Sequence, residues 1–432
     1  MKFNFQLVIV AVFIVAAILG VLVFSGAIPI GSKGGEGSLG EVRLWGIVPM
    51  SLIQASLEEF NNANPSFTLK YEEKSAASFD RDLLEALAAG AGPDMFLISD
   101  DLAYHYADKI VTIPYASYSP AAFKNIFAAA GEVFLTPEGI LALPLSVDPM
   151  MLYYNRSILD AQGLAFSPKD WEEFSQYVVK LTEKDEDNQI KKSGAALGQY
   201  ANVTHAKDIL AMVFLQAGNS ITSQGAVGGG FKSVLASTAG NYNMPSILEF
   251  YTSFADPGSP LYSWNRSFPD SGDAFSSEDL AFYFGYASEL SELVNKNPNQ
   301  NFLAATVPQI KDAKFRLTRG RVTGVAVASS SKNLNTALTA ASQLASSDFA
   351  SKYAQALGVP PARRDLLAQP PADTFSPSFY SSALFAKSWL DPSPKDTDNI
   401  FSAMVNSVLS NSLSPSDALQ DASSKLDLLL LK

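Results

Sequence analysis

Between Glu41 and Ile98 the chain alternates two kinds of hydrophobic spacing, and that alternation most limits its fold. Glu41-Val42-Arg43-Leu44-Trp45 switches between polar and apolar residues as a half-buried strand does. Ser51 to Asn62 then repeats Leu52, Ala55, Leu57 and Phe60 at roughly helical spacing, and Pro65 ends it. Phe67 to Tyr71 alternates again, and Phe79 to Ala89 is a second amphipathic helix closed by Gly90. Asp94 to Ile98 is short and nearly all apolar, as a strand covered on both faces must be. Strand, helix, strand, helix, strand predicts an α/β fold with a parallel sheet wrapped by helices. Ligands of such sheets bind beyond the carboxyl ends of the strands. Three stretches fall there: Trp45 to Met50, Ser99 to Asp101, and the residues around Asp148.

The N-terminus makes a different demand. Leu7 to Phe24 is unbroken in apolar residues apart from Gly20, long enough to approach the roughly 20 residues a bilayer span needs. Ser25-Gly26-Ala27 also offers the small residues of a cleavage site. Residues 1–26 are therefore read as a membrane anchor or a cleaved signal, with the body outside the membrane in either case. Gly31 to Gly40 is rich in Gly and Ser, so residues 27–40 are read as a flexible linker. The apolar tail Leu426 to Leu431 is too short to span and reads as the end of a packed helix.

Composition removes several function classes. The chain has 432 residues, room for two ordinary domains, and its 47% hydrophobic and 17% charged content is that of a globular protein. A net charge of −12 argues against a nucleic-acid partner, which needs clustered Lys and Arg. With no cysteine and only His105 and His205, neither a thiolate site nor a multi-His metal centre can be built, and no cofactor or metal is expected. Gly225 to Gly230 lacks the Lys-Ser/Thr of a phosphate loop and reads as a loop tip. Asp185 to Gln189 starts like a calcium loop, but Ile190 and Ala196 stand where Gly and Glu are required. No Gly-x-Ser-x-Gly elbow is present for a serine hydrolase.

Four further motifs occur in order along the chain. The first pairs Glu59-Phe60 on a helix with Gly92-Pro93-Asp94 before a buried strand. Leu152-Tyr153-Tyr154-Asn155 comes next, followed by Ala161-Gln162-Gly163-Leu164 and Pro168-Lys169-Asp170-Trp171-Glu172-Glu173-Phe174. Later come Gly324-Val325-Ala326-Val327 to Asn333, an Ala-rich helix, and Gly358-Val359-Pro360-Pro361-Ala362-Arg363. This series resembles the extracellular solute-binding proteins of ABC importers, in the sugar-binding group that includes maltose-binding protein. The resemblance implies a two-lobed, periplasmic-binding-protein-like fold with a hinge and a ligand cleft. It implies crossings near Leu143 to Asp148, near Thr306 to Pro308 and after Asp348, with residues 41–144 plus 304–347 as lobe 1 and 145–303 plus 348–432 as lobe 2. The implied partners are a small ligand, carbohydrate by the group's habit, and a membrane permease with its ATPase; the binding protein itself would be a monomer and not an enzyme.

Sugars are held by carboxylates and amides that bond their hydroxyls and by rings that stack on their apolar faces. Asp148 sits at the spacing before Leu-Tyr-Tyr-Asn where the resemblance implies a ligand carboxylate; the alternative is a turn cap. Asp100 and Asp101 follow the third strand at the crevice edge, or cap the segment from Leu102 to Ala107. Trp45 ends the first strand at the crevice or packs in the lobe's core. From the second lobe, Tyr200, Asn202, Trp264, Tyr286 and Trp389 are the expected cleft residues, with core packing as the alternative for each. Gly46-Ile47-Val48-Pro49-Met50, Ile98 and Phe284-Gly285-Tyr286-Ala287 are less polar or less aromatic than the group's pattern, which predicts a drier pocket. Two other readings use the same residues. One is a surface receptor or adhesin on this fold; the other is a hydrolase with Asp101 and Asp148 as facing carboxylates. Tyr153-Tyr154 superficially resembles an iron-ligating pair, yet neighbours on a strand point to opposite faces.

Overall fold

A computed structural model describes residues 39–224, 230–237 and 243–431. The Leu7–Phe24 run, the Ser25-Gly26-Ala27 site and nearly all of the linker and of the Gly225–Gly230 cluster lie outside the described residues. Among the described residues no helix is long and apolar enough to cross a membrane.

The opening alternation folds as its spacing predicts: β1 (Glu41–Gly46), α1 (Met50–Ala63), β2 (Thr68–Glu73), α2 (Phe79–Ala88) and β3 (Met95–Ser99). β1 lies between β2 and β3 and runs parallel to both. Ile53, Leu57 and Phe60 of α1, and Phe79, Leu83 and Leu87 of α2, are the apolar stripes buried against the sheet.

A long strand, β4 (Leu143–Asn155), then leaves this lobe for the next. Its first half pairs with the strand Thr318–Val327 and its second half with Leu280–Tyr286 and Phe302–Thr306, so one continuous strand joins the strands of both lobes into a single sheet. Pro149 stands at the changeover, where β4 passes from one set of partners to the other. The second lobe is built from α3 (Trp171–Leu181), β5 (Ile190–Ala195), α4 (Ala206–Gln216), β6 (Leu280–Tyr286) and β7 (Phe302–Thr306). β8 (Thr318–Val327) carries the chain back, pairing antiparallel with both β3 and β4. A two-residue strand, β9 (Ala386–Lys387), runs parallel to the start of β8 before the chain ends in two long helices, Pro394–Leu409 and Pro415–Leu430.

Two separate hydrophobic cores define the lobes. One gathers Val42, Leu44, Phe96, Phe134, Val147 and Val322; the other gathers Met150, Phe174, Phe214, Trp264, Phe284 and Phe401. These cores correct the expected boundaries. Leu145 and Val147 belong to the first core and Met150 to the second, so the first crossing lies at Pro149 rather than at residue 144. Ala304 to Thr306 pair with the second half of β4, which leaves them in lobe 2 and places the second crossing after them. Phe349, Tyr353, Ala362 and Leu367 pack in the first core, so the chain does not change lobes at residue 348. It does so later, between Leu367 and Trp389.

The motifs behind the resemblance have local structural jobs. The Asn155 Oδ1 accepts from Ile158 N at 3.0 Å and caps the helix Arg156–Ala161. Asp170 Oδ1 accepts from Glu173 N at 2.8 Å and caps α3. Gly358 ends the helix Ser347–Leu357 at φ +67°, the left-handed turn that Gly adopts most freely. The Val-Pro-Pro-Ala segment after it threads against β4, with Val147 N donating to Pro360 O and Ala362 N to Leu145 O.

Candidate functional site

The carboxyl end of β3 opens into a chamber between the lobes. From lobe 1 it is lined by Asp100, Ala103, Tyr104 and Ala107 after the strand, and by Val133, Thr136, Pro137, Glu138 and Leu141 around a short hairpin. Gln224, Gly230, Phe231 and Leu390 close it from lobe 2. Its volume is about 210 Å³. That is below the ~300–1,000 Å³ of typical small-molecule sites. Tyr104 meets Phe231 edge to face across the gap, with ring centroids 5.6 Å apart. Most of the wall is apolar, but the segments on which a drier pocket was expected, Gly46 to Met50, Ile98 and Phe284 to Ala287, do not line it.

Behind the chamber wall lies a buried charge network at the hinge. Asp100 is 2% exposed. Its Oδ1 accepts from Val322 N at 3.0 Å, and its Oδ2 from Arg319 Nη2 at 2.7 Å and from the Ser388 hydroxyl. Arg319 Nε donates to Asp208 Oδ1 at 3.2 Å, and Arg321 Nη2 to Asp208 Oδ2 at 2.8 Å. Arg319 and Arg321 are two apart on β8 and so point to the same side of the sheet. Burial pushes the Asp208 carboxyl up, but Arg319, Arg321, His205 and Lys207 outweigh it and hold the group well below the usual carboxylate range. Asp101 goes the other way. Burial and the charge of Asp100 raise it, against the hydroxyl bond from Ser99.

Asp148 faces the same hinge. It pairs with Arg321 in the β4–β8 ladder, and its Oδ1 accepts from Ser288 N at 3.0 Å. Burial pushes its carboxyl up to about 6, opposed by the Ser288 bonds and Arg321. Next to it His205 Nε2 lies 2.5 Å from Glu289 Oε1, and Arg321 stacks on Tyr286, 3.9 Å from the ring centroid.

Of the residues expected in the cleft, only Asp100 lines the chamber, with Asp101 beside it at the end of β3. The rest are placed elsewhere, which corrects the reading of the aromatics as cleft platforms. Trp45 packs in the lobe 1 core under Lys74, whose Nζ lies 3.7 Å from the ring centroid. Tyr200 donates to Asp398 Oδ1 at 2.6 Å within lobe 2. The Asn202 amide is consumed there too: Nδ2 donates to Asn265 O and Phe268 O, and Oδ1 accepts from Trp264 Nε1. Trp264 is fully buried and stacked on Phe268, and Trp389 is stacked on Phe401. Tyr286 is fully buried between His205 and Arg321. Asp148 belongs to the hinge rather than to the chamber wall.

Sequence reasoning missed Tyr104, Glu138, Phe231 and Leu390, and above all the two arginines. Tyr104 lies three residues past Asp101 on the crevice edge already singled out. The Thr136-Pro137-Glu138-Gly139 turn is visible as a loop between apolar runs. Arg319-Gly320-Arg321, alternating inside a strand-like run, was a readable signal of one charged face. The Tyr153 hydroxyl donates to Tyr286 O at 2.9 Å inside the core.

The comparisons agree with this architecture. Curated binding proteins of Brucella abortus and Brucella suis are 24% identical to the chain over 126 residues, which is 28% of this chain and 30% of theirs. The structure of a cyclo/maltodextrin-binding protein complexed with maltotetraose superposes with a TM-score of 0.72 at 16% identity, covering 93% of this chain and 99% of that one. A sugar-binding protein of Xanthomonas citri gives 0.71 at 17% identity over 90% of this chain and 97% of that one. An ABC transporter solute-binding protein of Thermotoga lettingae, bound with α-D-tagatose, gives 0.65 at 19% identity, covering 90% of this chain and all of that one. At these identities the structures establish a shared two-lobed fold. The family model of the bacterial extracellular solute-binding protein matches residues 55–377, most of both lobes and every crossing before the last, and the chain belongs to that family.

Proposed function

We propose that this protein captures a small carbohydrate between its lobes and hands it to an ABC permease in the membrane, acting as a monomer and catalysing no reaction. The observation that carries this reading is the chamber itself, set at the carboxyl end of β3 and walled by both lobes. Its family and fold are those of non-enzymatic solute-binding proteins. The ligands named for structures of the same fold, maltotetraose and α-D-tagatose, support a saccharide. At about 210 Å³ the chamber suits a ligand of monosaccharide size, and an oligosaccharide needs the lobes to part further. Function then rests on differential affinity for the closed arrangement, which the permease reads.

A thermal-shift screen tests this directly. A saccharide at about 100 times its Kd adds roughly 2.7 kcal/mol to stability. A shift with a mono- or oligosaccharide supports the reading, and no shift across sugars of every size from one to four units overturns it. Residues 1–26 are proposed to hold the body outside the membrane, as an uncleaved anchor or as a signal. Intact mass and membrane fractionation of the expressed protein decide between those two.

A further inference from the structure

The buried network at the hinge draws its members from both lobes and from the segments that join them. Arg319 is 3% exposed and sits at the start of β8, where the second crossing enters lobe 1. Its guanidinium donates to Asp100 after β3 in lobe 1, to Asp208 on α4 in lobe 2, and to Ser388 on the third crossing. Gly320, next to it, lets the third crossing come close, since a Cβ there would stand 2.7 Å from the Ala386 Cβ.

The links differ in kind. Asp100 is fixed to β8 by a backbone pair as well, Asp100 N donating to Val322 O and Val322 N to its carboxylate. Arg319 therefore travels with lobe 1. Asp208 belongs to a helix of lobe 2, and both of its arginine partners lie on β8. A rotation that parts the lobes at Pro149 and Thr318 separates Asp208 from two guanidinium groups while leaving Asp100 paired.

We propose that Arg319 and Asp208 form an interlobe latch, a positioning device that sets the balance between open and closed lobes. It rests on the reading of the protein as a two-lobed capture device, and its test needs no ligand. The reasoning is electrostatic. Attraction between opposite charges grows as water is excluded, and a buried charge that loses its partner must be rehydrated. Closing pairs Asp208 with both arginines, and opening returns it to water. The latch also reaches the ligand. Asp100 lines the chamber, so a solute that engages this carboxylate touches the group that positions Arg319. A ligand that binds only closed lobes has an apparent Kd equal to its intrinsic Kd divided by the closed fraction.

The chain has no cysteine, so two introduced ones can carry spin labels without background. Lys70→Cys on β2 and Gln176→Cys on α3 are exposed and lie in different lobes. Pulsed electron–electron resonance on the full-length protein then gives the interlobe distance distribution. Asp208→Asn is expected to move population from the short to a longer distance, by severalfold in their ratio. Lys296→Gln, which breaks the Lys296–Asp273 pair lying wholly within lobe 2, is expected to leave the distribution in place. A distribution unchanged by Asp208→Asn, or shifted equally by Lys296→Gln, overturns the latch. Should Asp208→Asn fail to fold, Arg321→Gln takes its place, since that side chain is 45% exposed, and the same two outcomes decide. A latch that holds while no saccharide binds would leave this inference standing and remove the sugar; the reverse result would do the opposite.

Discussion

Single residues at the hinge are pulled by burial and by charge, and the outcome differs from one carboxylate to the next. Asp148 loses more to desolvation than it gains from Ser288 and Arg321, so its carboxyl is pushed up to about 6. A carboxyl raised in the folded state binds its proton more tightly there than in the unfolded chain. Its contribution to stability is therefore favourable at low pH and falls as pH rises from about 4 to about 6. Asp148→Asn is expected to raise stability at pH 7.5 by about 1–3 kcal/mol and to change it little near pH 4, read as urea midpoints at the two pH values. A pH-independent effect would mean that the raised carboxyl is not the cause. Asp208 has the opposite sign. Held low by its arginines, it contributes stability above the unfolded carboxylate pKa and loses it only in stronger acid. Tyr200 was read from sequence as a cleft ring, but its hydroxyl serves Asp398. Tyr200→Phe is expected to lower stability by about 1–2 kcal/mol, while ligand affinity in calorimetry stays unchanged.

Elements were the most legible scale. The β1–α1–β2–α2–β3 order and nearly all its limits follow from spacing alone, because the amphipathic period of a helix and of a strand is local. The caps came from the structure. Asp170 and Asn155, noticed as parts of a motif, turn out to begin helices by accepting from backbone N–H groups. Asp170→Ala is expected to cost about 1 kcal/mol through the lost cap of α3, seen as a drop in thermal midpoint with the same ligand profile. A loss of binding without a loss of stability would give Asp170 a role at the site instead of a capping role. The crossings were less legible. β4 runs through both lobes without a break, and no residue in Leu143–Asn155 announces where the partners from one lobe give way to those of the other. The helix Ser347–Leu357 was assigned to lobe 2, but Phe349 and Tyr353 pack in the lobe 1 core, where they lie against α1 through Phe60.

For the whole molecule, the question is how a wall contributed by two lobes becomes one site. Tyr104 and Phe231 are separated by more than a hundred residues and meet only because β4 and β8 bring the lobes face to face. Tyr104→Ala removes that cross-lobe ring pair and part of the chamber wall. It is expected to weaken whichever saccharide shifts the melting curve by about 0.5–1.5 kcal/mol, measured by isothermal titration calorimetry. Unchanged affinity would move the ligand out of this chamber.

The class of fold, its main elements, the family resemblance and the crevice edge at Asp100 and Asp101 were determined by the sequence itself. Each rests on local spacing or on a short ordered run of residues. Which aromatics stay in the cores, where the chain changes lobes, and which charges meet at the hinge were decided only by tertiary structure. Trp264 and Trp389 carry nothing in sequence that separates a core ring from a cleft platform; burial by distant residues makes that choice. Arg319 shows the same limit for charge: Asp100, Asp208 and Ser388 lie 219, 111 and 69 residues away along the chain, and only the closed path of β8 between the lobes makes them neighbours.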